Sequence, residues 1–270
     1  MADQLNSLSM AGVAASLAAA MGIEAPAQAQ PAIDQIVNMV KRGTDGGHVD
    51  RVFMYNPDAV AMWLYQKYTT LFDDVVKHTS LAVPLQTVMP SVTPVCFGTM
   101  YTGAYPAVHG IQKYEKPVIR IDTLFDALIR AGKKPVIIGD PHCSLSHIFL
   151  ERDMDYFTAD TIEAINKKAM ALIEEDKYDF YVVYNGNYDS LMHKFGPESD
   201  EAMAQLRDNV ASFDRLITAL RQKWTNHDTL FAFAMDHGCH EIDGNCGSHG
   251  LDMPEDLNVI HHYGLIPRSR

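Results

Sequence analysis

Short runs of apolar residues alternate with longer amphipathic stretches along most of this chain. Polar residues or glycine bound each run, which is typical of strands buried in a parallel sheet. The five runs span residues 51–55, 81–85, 135–138, 180–184 and 230–235. The stretches at 59–69, 121–131, 160–176 and 199–223 predict helices. This alternation predicts an α/β fold with a mostly parallel central sheet covered on both faces.

The first 50 residues predict a helical segment packed on a single domain that spans residues 1–270. Residues 8–21 are small and apolar and predict an Ala-rich amphipathic helix that ends at Gly22. An export signal needs a positively charged start, whereas no Lys or Arg precedes Lys41. We therefore expect a cytoplasmic protein, and no apolar run is long enough to predict a membrane span.

Charge restricts the partners of the chain. It has 22 Lys and Arg against 34 Asp and Glu, a net charge of -12. Such an acidic surface is unsuited to gripping a nucleic-acid backbone and is repelled by anionic membranes. If the substrate is anionic, a bound metal would have to supply the positive charge that receives it.

Carboxylates and imidazoles stand where the predicted strands end, which is where sites form in parallel sheets. Asp189 and His193 are four residues apart and would share one face of a helix. A single Asp at a strand end is more often a helix cap than a ligand, so only the joint occurrence of six such residues indicates a metal site. The set is Asp58, Asp189, His193, Asp236, His237 and His249.

Three carboxylates and three imidazoles are a donor set that suits zinc, with manganese as the second choice. Six side chains are too many for one tetrahedral ion. They fit two divalent ions with open positions, the arrangement used for displacement at phosphorus. We therefore expect the six side chains to converge.

The order of these motifs resembles the alkaline phosphatase superfamily, and within it the type I phosphodiesterase/nucleotide pyrophosphatase branch, with phosphonoacetate hydrolase nearby. The shared strings are Pro-Ser-Val-Thr at 90–93, Thr-Gly at 102–103, His-Gly-Ile at 109–111, Asp-x-x-x-His at 189–193, Asp-His-Gly at 236–238 and His-Gly at 249–250. The resemblance extends over residues 51–266. It implies a three-layer α/β/α sandwich, alkaline phosphatase-like, that holds two metal ions.

The resemblance also implies a role for each residue. Asp189, His193 and His249 would hold one ion, and Asp58, Asp236 and His237 the other. Thr93 would be the nucleophile, because it stands nine residues before Thr102-Gly103 as in the branch. Ser91 is the rival nucleophile, since on an extended segment its hydroxyl can face the same side as that of Thr93.

Three features depart from the family pattern. Cys96 stands where the branch commonly has an asparagine that contacts a substrate oxygen, and a thiol is a weaker donor. The usual Asp-Gly after the first strand is Asp58-Ala59 here. The segment at 110–121 is too short for a large cap domain, so we expect an open site or one completed by a second subunit.

The resemblance implies a metal-dependent phosphoric-ester hydrolase that acts on a small phosphorylated or phosphonate substrate through a phosphothreonine. Two alternatives remain: phosphomonoesterase or phosphonoacetate hydrolase-like activity, and a metal-binding module without catalysis. The retained threonine argues against the last, because metal binding alone needs only the six ligands.

Overall fold

A central sheet organises the computed structural model, which describes residues 4–269; residues 1–3 and 270 of the predicted domain lie outside the described part. The strands of the sheet are β1 (Arg51–Pro57), β2 (Leu81–Gln86), β3 (Pro135–Gly139), β4 (Asp155–Thr158), β5 (Phe180–Asn185), β6 (Thr229–Phe233) and β9 (Asn258–Ile266). A separate hairpin consists of β7 (His240–Ile242) and β8 (Cys246–Ser248). The seven strands lie in the order β2-β9-β6-β1-β5-β3-β4.

The sheet is mostly parallel, as the apolar runs predict. β1 pairs in parallel with β5 and β6, and β3 pairs in parallel with β4 and β5. β9 is antiparallel to both of its neighbours, β2 and β6. Six of the seven strands therefore point the same way, and their carboxyl ends share one edge.

Helices cover both faces of this sheet. They are α1 (Val13–Ala20), α2 (Asp34–Gly43), α3 (Met62–Lys67), α4 (Asp73–Val76), α5 (Thr93–Thr102), α6 (Pro106–His109), α7 (Leu124–Arg130), α8 (Ser144–Ile148), α9 (Ile162–Glu175), α10 (Asn187–Phe195), α11 (Asp200–Lys223) and α12 (Pro254–Leu257).

Two neighbouring residues of β1 show that the helices and the sheet form three layers. Tyr55 packs edge-on against Phe213 of α11, whereas the amide oxygen of Asn56 accepts a hydrogen bond from Tyr101 of α5. Consecutive strand residues face opposite sides, so α11 and α5 lie on opposite faces of the sheet. This confirms the predicted α/β/α sandwich, and residues 4–269 include no large cap domain.

Side-chain caps fix where the predicted helices begin. Thr123 forms a capping box with Asp126 at the start of α7, and the hydroxyl of Ser199 accepts from the amide of Ala202 at the start of α11. The helix predicted at 59–69 is shorter than expected: α3 covers only its middle, and a 3₁₀ turn follows at Thr69–Phe72.

The N-terminal segment is part of the packed structure. α1 is almost wholly buried and packs against α2, α5 and α7. The amide of Gln30 also donates to the carbonyl of Gly103, which follows α5. The segment therefore supports the helix on which Thr93 lies. Within the described residues, no helix has the length and apolar character needed to cross a membrane.

Candidate metal centre

The carboxyl edge of the sheet brings the predicted ligands together. Asp58 directly follows β1, and its amide donates to Asn185 at the end of β5, 3.0 Å away. Asp189 lies in the first turn of α10, which follows β5, and Asp236 follows β6. Because β5, β1 and β6 are adjacent, their carboxyl ends present these carboxylates side by side.

Three of the predicted ligands form a fully buried group, the inner group: Asp58, Asp236 and His237. His237 Nε2 lies 3.3 Å from Asp58 Oδ1 and 3.3 Å from Asp236 Oδ2. Ala59 takes a left-handed conformation at φ 60°, and its amide donates to Asp236 Oδ1 at 3.1 Å. An alanine thus makes the turn for which the resemblance leads one to expect glycine.

The other three ligands form the outer group: Asp189, His193 and His249. Asp189 Oδ1 lies 3.3 Å from Nε2 of His193 and 3.3 Å from Nε2 of His249. The two Nε2 atoms are 3.0 Å apart. Asp189 and His193 occupy one face of α10, as their spacing predicts.

Backbone carbonyls set the orientation of all three imidazoles. The Nδ1 atoms of His193, His249 and His237 lie 3.0, 2.9 and 2.9 Å from the carbonyl oxygens of Gly247, Ser91 and Gly238, respectively. A carbonyl only accepts, so each Nδ1 carries the proton and, in the neutral ring, each Nε2 presents a lone pair. Such a partner on the far nitrogen is the usual support of a metal-binding histidine.

Lone pairs therefore converge in both groups. The oxygens that face the Nε2 atoms are Asp58 Oδ1, Asp189 Oδ1 and Asp236 Oδ2, and each is buried without a hydrogen-bond donor. Buried, unpartnered carboxylate oxygens are costly unless a cation receives them. Separations of 3.3 Å also match the edge of a tetrahedron, about 3.3 Å, around an ion with bonds of about 2.0 Å. Both groups fit a metal ion.

The two groups adjoin each other. The rings of His237 and His249 pack at 4.1 Å between centroids, so one side chain of each group forms the contact. Thr93, the first residue of α5, lies next to the inner group: its Oγ1 is 3.4 Å from Asp58 Oδ2 and 3.4 Å from His237 Nε2.

Comparison with known proteins identifies the family of this chain. Residues 56–118 and 120–261 match the family model described as Type I phosphodiesterase / nucleotide pyrophosphatase. The matched ranges cover most of the chain and include Thr93 and all six predicted ligands.

The chain belongs to the type I phosphodiesterase/nucleotide pyrophosphatase family.

Solved structures share the fold of this family member at low sequence identity. Human ectonucleotide pyrophosphatase/phosphodiesterase 5 superposes with a TM-score of 0.58 at 15% identity, and the match covers 71% of this chain. The murine protein gives 0.56 at 17% identity over 72% of this chain. The match covers 58% of each of those two chains, so the family member described here spans less than two thirds of their length. No curated protein matches the sequence.

Burial strongly perturbs the pKa values of the inner group. It raises the pKa of Asp58 to about 7, with the nearby charge of Asp189 adding to the rise, and it raises the pKa of Asp236 well above the usual range. Burial lowers the pKa of His237 to about 3, and the charge of His249 acts in the same direction. The inner group thus resists holding two carboxylate charges unless a cation is close to them.

The outer group behaves differently because its imidazoles compensate the carboxylate. Burial acts to raise the pKa of Asp189, but the adjacent imidazoles of His193 and His249 outweigh it and bring the pKa below the usual range. The adjacent Asp189 carboxylate raises the pKa of His193 in turn. A proton or a metal ion can therefore satisfy this group.

A cavity of about 230 Å³ opens beside Asp58, Thr93 and Asp189. Cys96, predicted as a substrate contact, is not among the residues that line it. The thiol is fully buried on α5 and accepts a hydrogen bond from the Thr87 hydroxyl at 3.1 Å. The structure therefore brings Thr93 to the cavity but leaves Cys96 beneath the site.

Cys239, His240 and Cys246 stand close together in the sequence but form no third metal centre among the described residues. His240, between Cys239 and Cys246 in sequence, bonds instead through Nδ1 to Asp256 Oδ1 at 2.7 Å. Among the residues that the structure describes, the inner and outer groups are the clusters able to hold a metal.

Sequence reasoning missed Tyr184. Its hydroxyl donates to Asp58 Oδ2, the oxygen that faces away from His237 Nε2, and its ring lines the cavity. Tyr184 falls inside an apolar run that predicts β5, so its sequence context indicates burial. Only its position at the carboxyl end of that run hints at a role in the site.

Proposed function

We propose that this chain is a metal-dependent hydrolase of phosphoric esters, phosphodiesterase/nucleotide pyrophosphatase-like, with Thr93 as nucleophile. The observation that supports this most directly is the position of the Thr93 hydroxyl, 3.4 Å from both Asp58 Oδ2 and His237 Nε2 and in the wall of the cavity. Family membership supports the same class of reaction.

Two divalent ions, zinc or secondarily manganese, are the cofactors of this proposal. The inner group would hold one ion next to Thr93, and the outer group would hold the other. Such ions lower the pKa of a bound hydroxyl and offset the negative charge of a phosphoryl group. The three orphaned carboxylate oxygens are the observation that supports their presence.

The side chains of the site would divide the displacement into two stages. The Thr93 hydroxyl proton moves toward Asp58, Oγ1 bonds to phosphorus, and the bond to the leaving oxygen breaks on the opposite side. Water then attacks the phosphothreonine, the Oγ1–phosphorus bond breaks, and Thr93 recovers a proton. The amide of Thr93, at the start of α5, has no acceptor among the described residues and can donate to a phosphoryl oxygen.

Hydrolysis of a phosphomonoester or of a small phosphonate is the second candidate. A cavity of about 230 Å³ lies below the range of roughly 300–1,000 Å³ that is usual for sites of drug-sized ligands. A small substrate fits that volume better than a dinucleotide does.

Thr93→Ala tests the nucleophile. We expect turnover to fall by at least about a thousandfold, because the nucleophile acts as a unit with its metal site, while zinc content and the melting temperature stay unchanged. Thr93→Ser should retain part of the activity, since the hydroxyl survives. Ser91→Ala is the matched control two residues away and should remain active.

Acid-quenched enzyme should carry phosphate on Thr93, located by peptide mass spectrometry. Phosphate on Ser91, or full activity of Thr93→Ala, would show that the assignment is wrong. Assays of bis-nitrophenyl phosphate, nitrophenyl phosphate and phosphonoacetate with zinc or manganese separate the candidate reactions. Absence of turnover on all three would favour a metal-binding module without catalysis.

A further inference from the structure

The cavity continues past the metal ligands toward the carboxyl ends of β3 and β4, where Lys116, Ser144 and Thr161 line it. β3 is two strands from β1 and β4 is three strands away. At about 4.8 Å per strand, this end lies roughly 10–14 Å from Asp58. A phosphoryl group at the metal centre would leave this end free for another part of the substrate.

Lys116 provides a positive charge there. Among the described residues that line the cavity, Lys116 is the only lysine or arginine. Its ammonium donates to the carbonyl of His142, and no carboxylate of the described residues lies within 4.0 Å of it. In a chain with a net charge of -12, an ammonium without a carboxylate partner in a cavity wall favours an anionic ligand.

The first turn of α9 contributes to the same wall. This helix has 14 residues, and Thr161 caps it by accepting from the amide of Ala164. The amides of Ile162 and Glu163 have no acceptor among the described residues. Free amides at the positive end of a helix dipole attract anions.

Ser144 gives independent evidence for a ligand. It is 2% exposed, it lines the cavity, and its Oγ has no hydrogen-bond partner. Leaving a buried hydroxyl unpaired costs about 1–3 kcal/mol, so an acceptor bound beside Ser144 would relieve that cost.

Two carboxylates limit where an anion can lie. Asp140 and Asp160 also line the cavity. Asp140 Oδ1 already accepts from the amide of His142 at 2.7 Å, and Asp160 is exposed at the rim. An anion would therefore be directed toward Lys116 and Ser144, away from the rim.

We propose that Lys116, Ser144 and the first turn of α9, the distal subsite, bind a second anionic group of the substrate, either a carboxylate or another phosphoryl group. The substrate would then be a small ester or phosphonate with an anion at each end. This inference rests on the proposed function, which provides the binding of the first phosphoryl group.

Matched, non-hydrolysable ligands test the distal subsite. The zinc-loaded protein is titrated by calorimetry with four alkylphosphonates of equal chain length, whose far end is methyl, hydroxyl, carboxylate or phosphonate. We expect the two anionic ends to bind at least tenfold more tightly than the methyl end. The comparison of carboxylate with phosphonate shows which anion the subsite prefers. If the hydroxyl end increases the affinity as much as the anionic ends do, the subsite binds polar groups regardless of charge, and the proposal is overturned.

Variants locate the effect. Lys116→Gln and Ser144→Ala should remove most of the advantage of the anionic ends while leaving the methyl ligand unaffected. Lys113→Gln is the matched control, because Lys113 lies in the same loop, is largely exposed and pairs with Glu115 at 3.4 Å. Asp160→Asn should tighten anion binding severalfold. Weaker binding in that variant would indicate a cationic ligand and contradict the proposal.

Two measurements separate the distal subsite from the proposed function: the affinity of the methyl ligand and the turnover of nitrophenyl phosphate. Binding and turnover without any advantage for anionic ends would overturn the distal subsite alone. An advantage that depends on Lys116, without turnover of any phosphorus substrate, would support the subsite and count against the proposed function.

Discussion

Tyr184 illustrates how one side chain can orient a predicted metal ligand. Its hydroxyl donates to Asp58 Oδ2, which leaves Oδ1 to face His237 Nε2. Partners of this kind orient a ligand, and their loss typically lowers metal affinity 10–100-fold. Tyr184 would thus influence a metal ion in the inner group through Asp58.

Replacing Tyr184 by phenylalanine is expected to weaken zinc binding at the inner group about 10–100-fold, because Asp58 loses the donor that orients it. The ring contact with Phe97, at 5.9 Å, is retained. Tyr181→Phe is the control on the same strand, since that hydroxyl donates to the Leu172 carbonyl. Zinc titration against a competing chelator provides the measurement. Equal affinities for the two variants would contradict the role given to Tyr184.

Residue order along the chain predicts that the six ligands converge because each stands beside the end of an apolar run or in the loop that follows. The side of a helix on which a residue lies is harder to predict within a segment that is buried all round. Every residue of α5 is buried, so periodicity does not reveal that Thr93 faces the cavity while Cys96 faces Thr87. The structure places Thr93, the predicted nucleophile, in the cavity wall, and places Cys96, the predicted substrate contact, away from the cavity.

At the scale of elements, the buried carboxylate of Asp256 connects the segment that carries His237 of the inner group with the segment that carries His249 of the outer group. Asp256 Oδ1 accepts from His240 at 2.7 Å, and Oδ2 accepts from the amide of Leu251 at 2.8 Å. Its carbonyl also accepts from Gly238, next to His237. Asp256 thereby fixes the loop on which His249 lies.

Asp256→Asn should loosen that loop, because an amide cannot accept from both donors in the same way. We expect zinc affinity of the outer group to fall about tenfold, with a smaller change at the inner group. Glu255→Gln is the neighbouring control, as Glu255 is exposed. Two-step zinc titrations resolve the groups, and an equal loss at both would indicate general destabilisation.

Elements that are buried on both sides were the easiest to predict. β1, β5 and β6 lie inside the sheet, so they appear as apolar runs. β4 lies at the edge and is half-exposed, which removes that signal. β9 carries His261 and His262, whose polarity hides a strand that is largely buried.

At the scale of the whole molecule, metal binding should stabilise the fold. At 100 times the dissociation constant, one ion adds about 2.7 kcal/mol, which corresponds to about 5–10 °C in melting temperature for a chain of this size. We expect that zinc raises the melting temperature and that a chelator reverses the rise. The same scan with the Asp189→Asn variant should show a smaller rise in melting temperature. If zinc does not raise the melting temperature of the unmodified chain, metal binding by the inner and outer groups is contradicted.

Acidification should reduce this stabilisation. Burial raises the pKa of Asp58 to about 7, above its value in the unfolded chain. Below pH 7, protons occupy Asp58 and compete with the ion, and that protonation also favours the metal-free folded state. The zinc-dependent rise measured by calorimetry should therefore be larger at pH 8 than at pH 6. A rise that increases toward pH 6 would contradict this.

The ring contact between His237 and His249 has a further consequence for the order in which the ions enter. The two imidazoles pack at 4.1 Å, so an ion that fixes one ring also restricts the ring that serves the other group. Part of the ordering entropy of the second site is then already spent when the first ion binds. Zinc uptake is therefore expected to be positively cooperative, so that the first ion raises the affinity of the other group for the second ion.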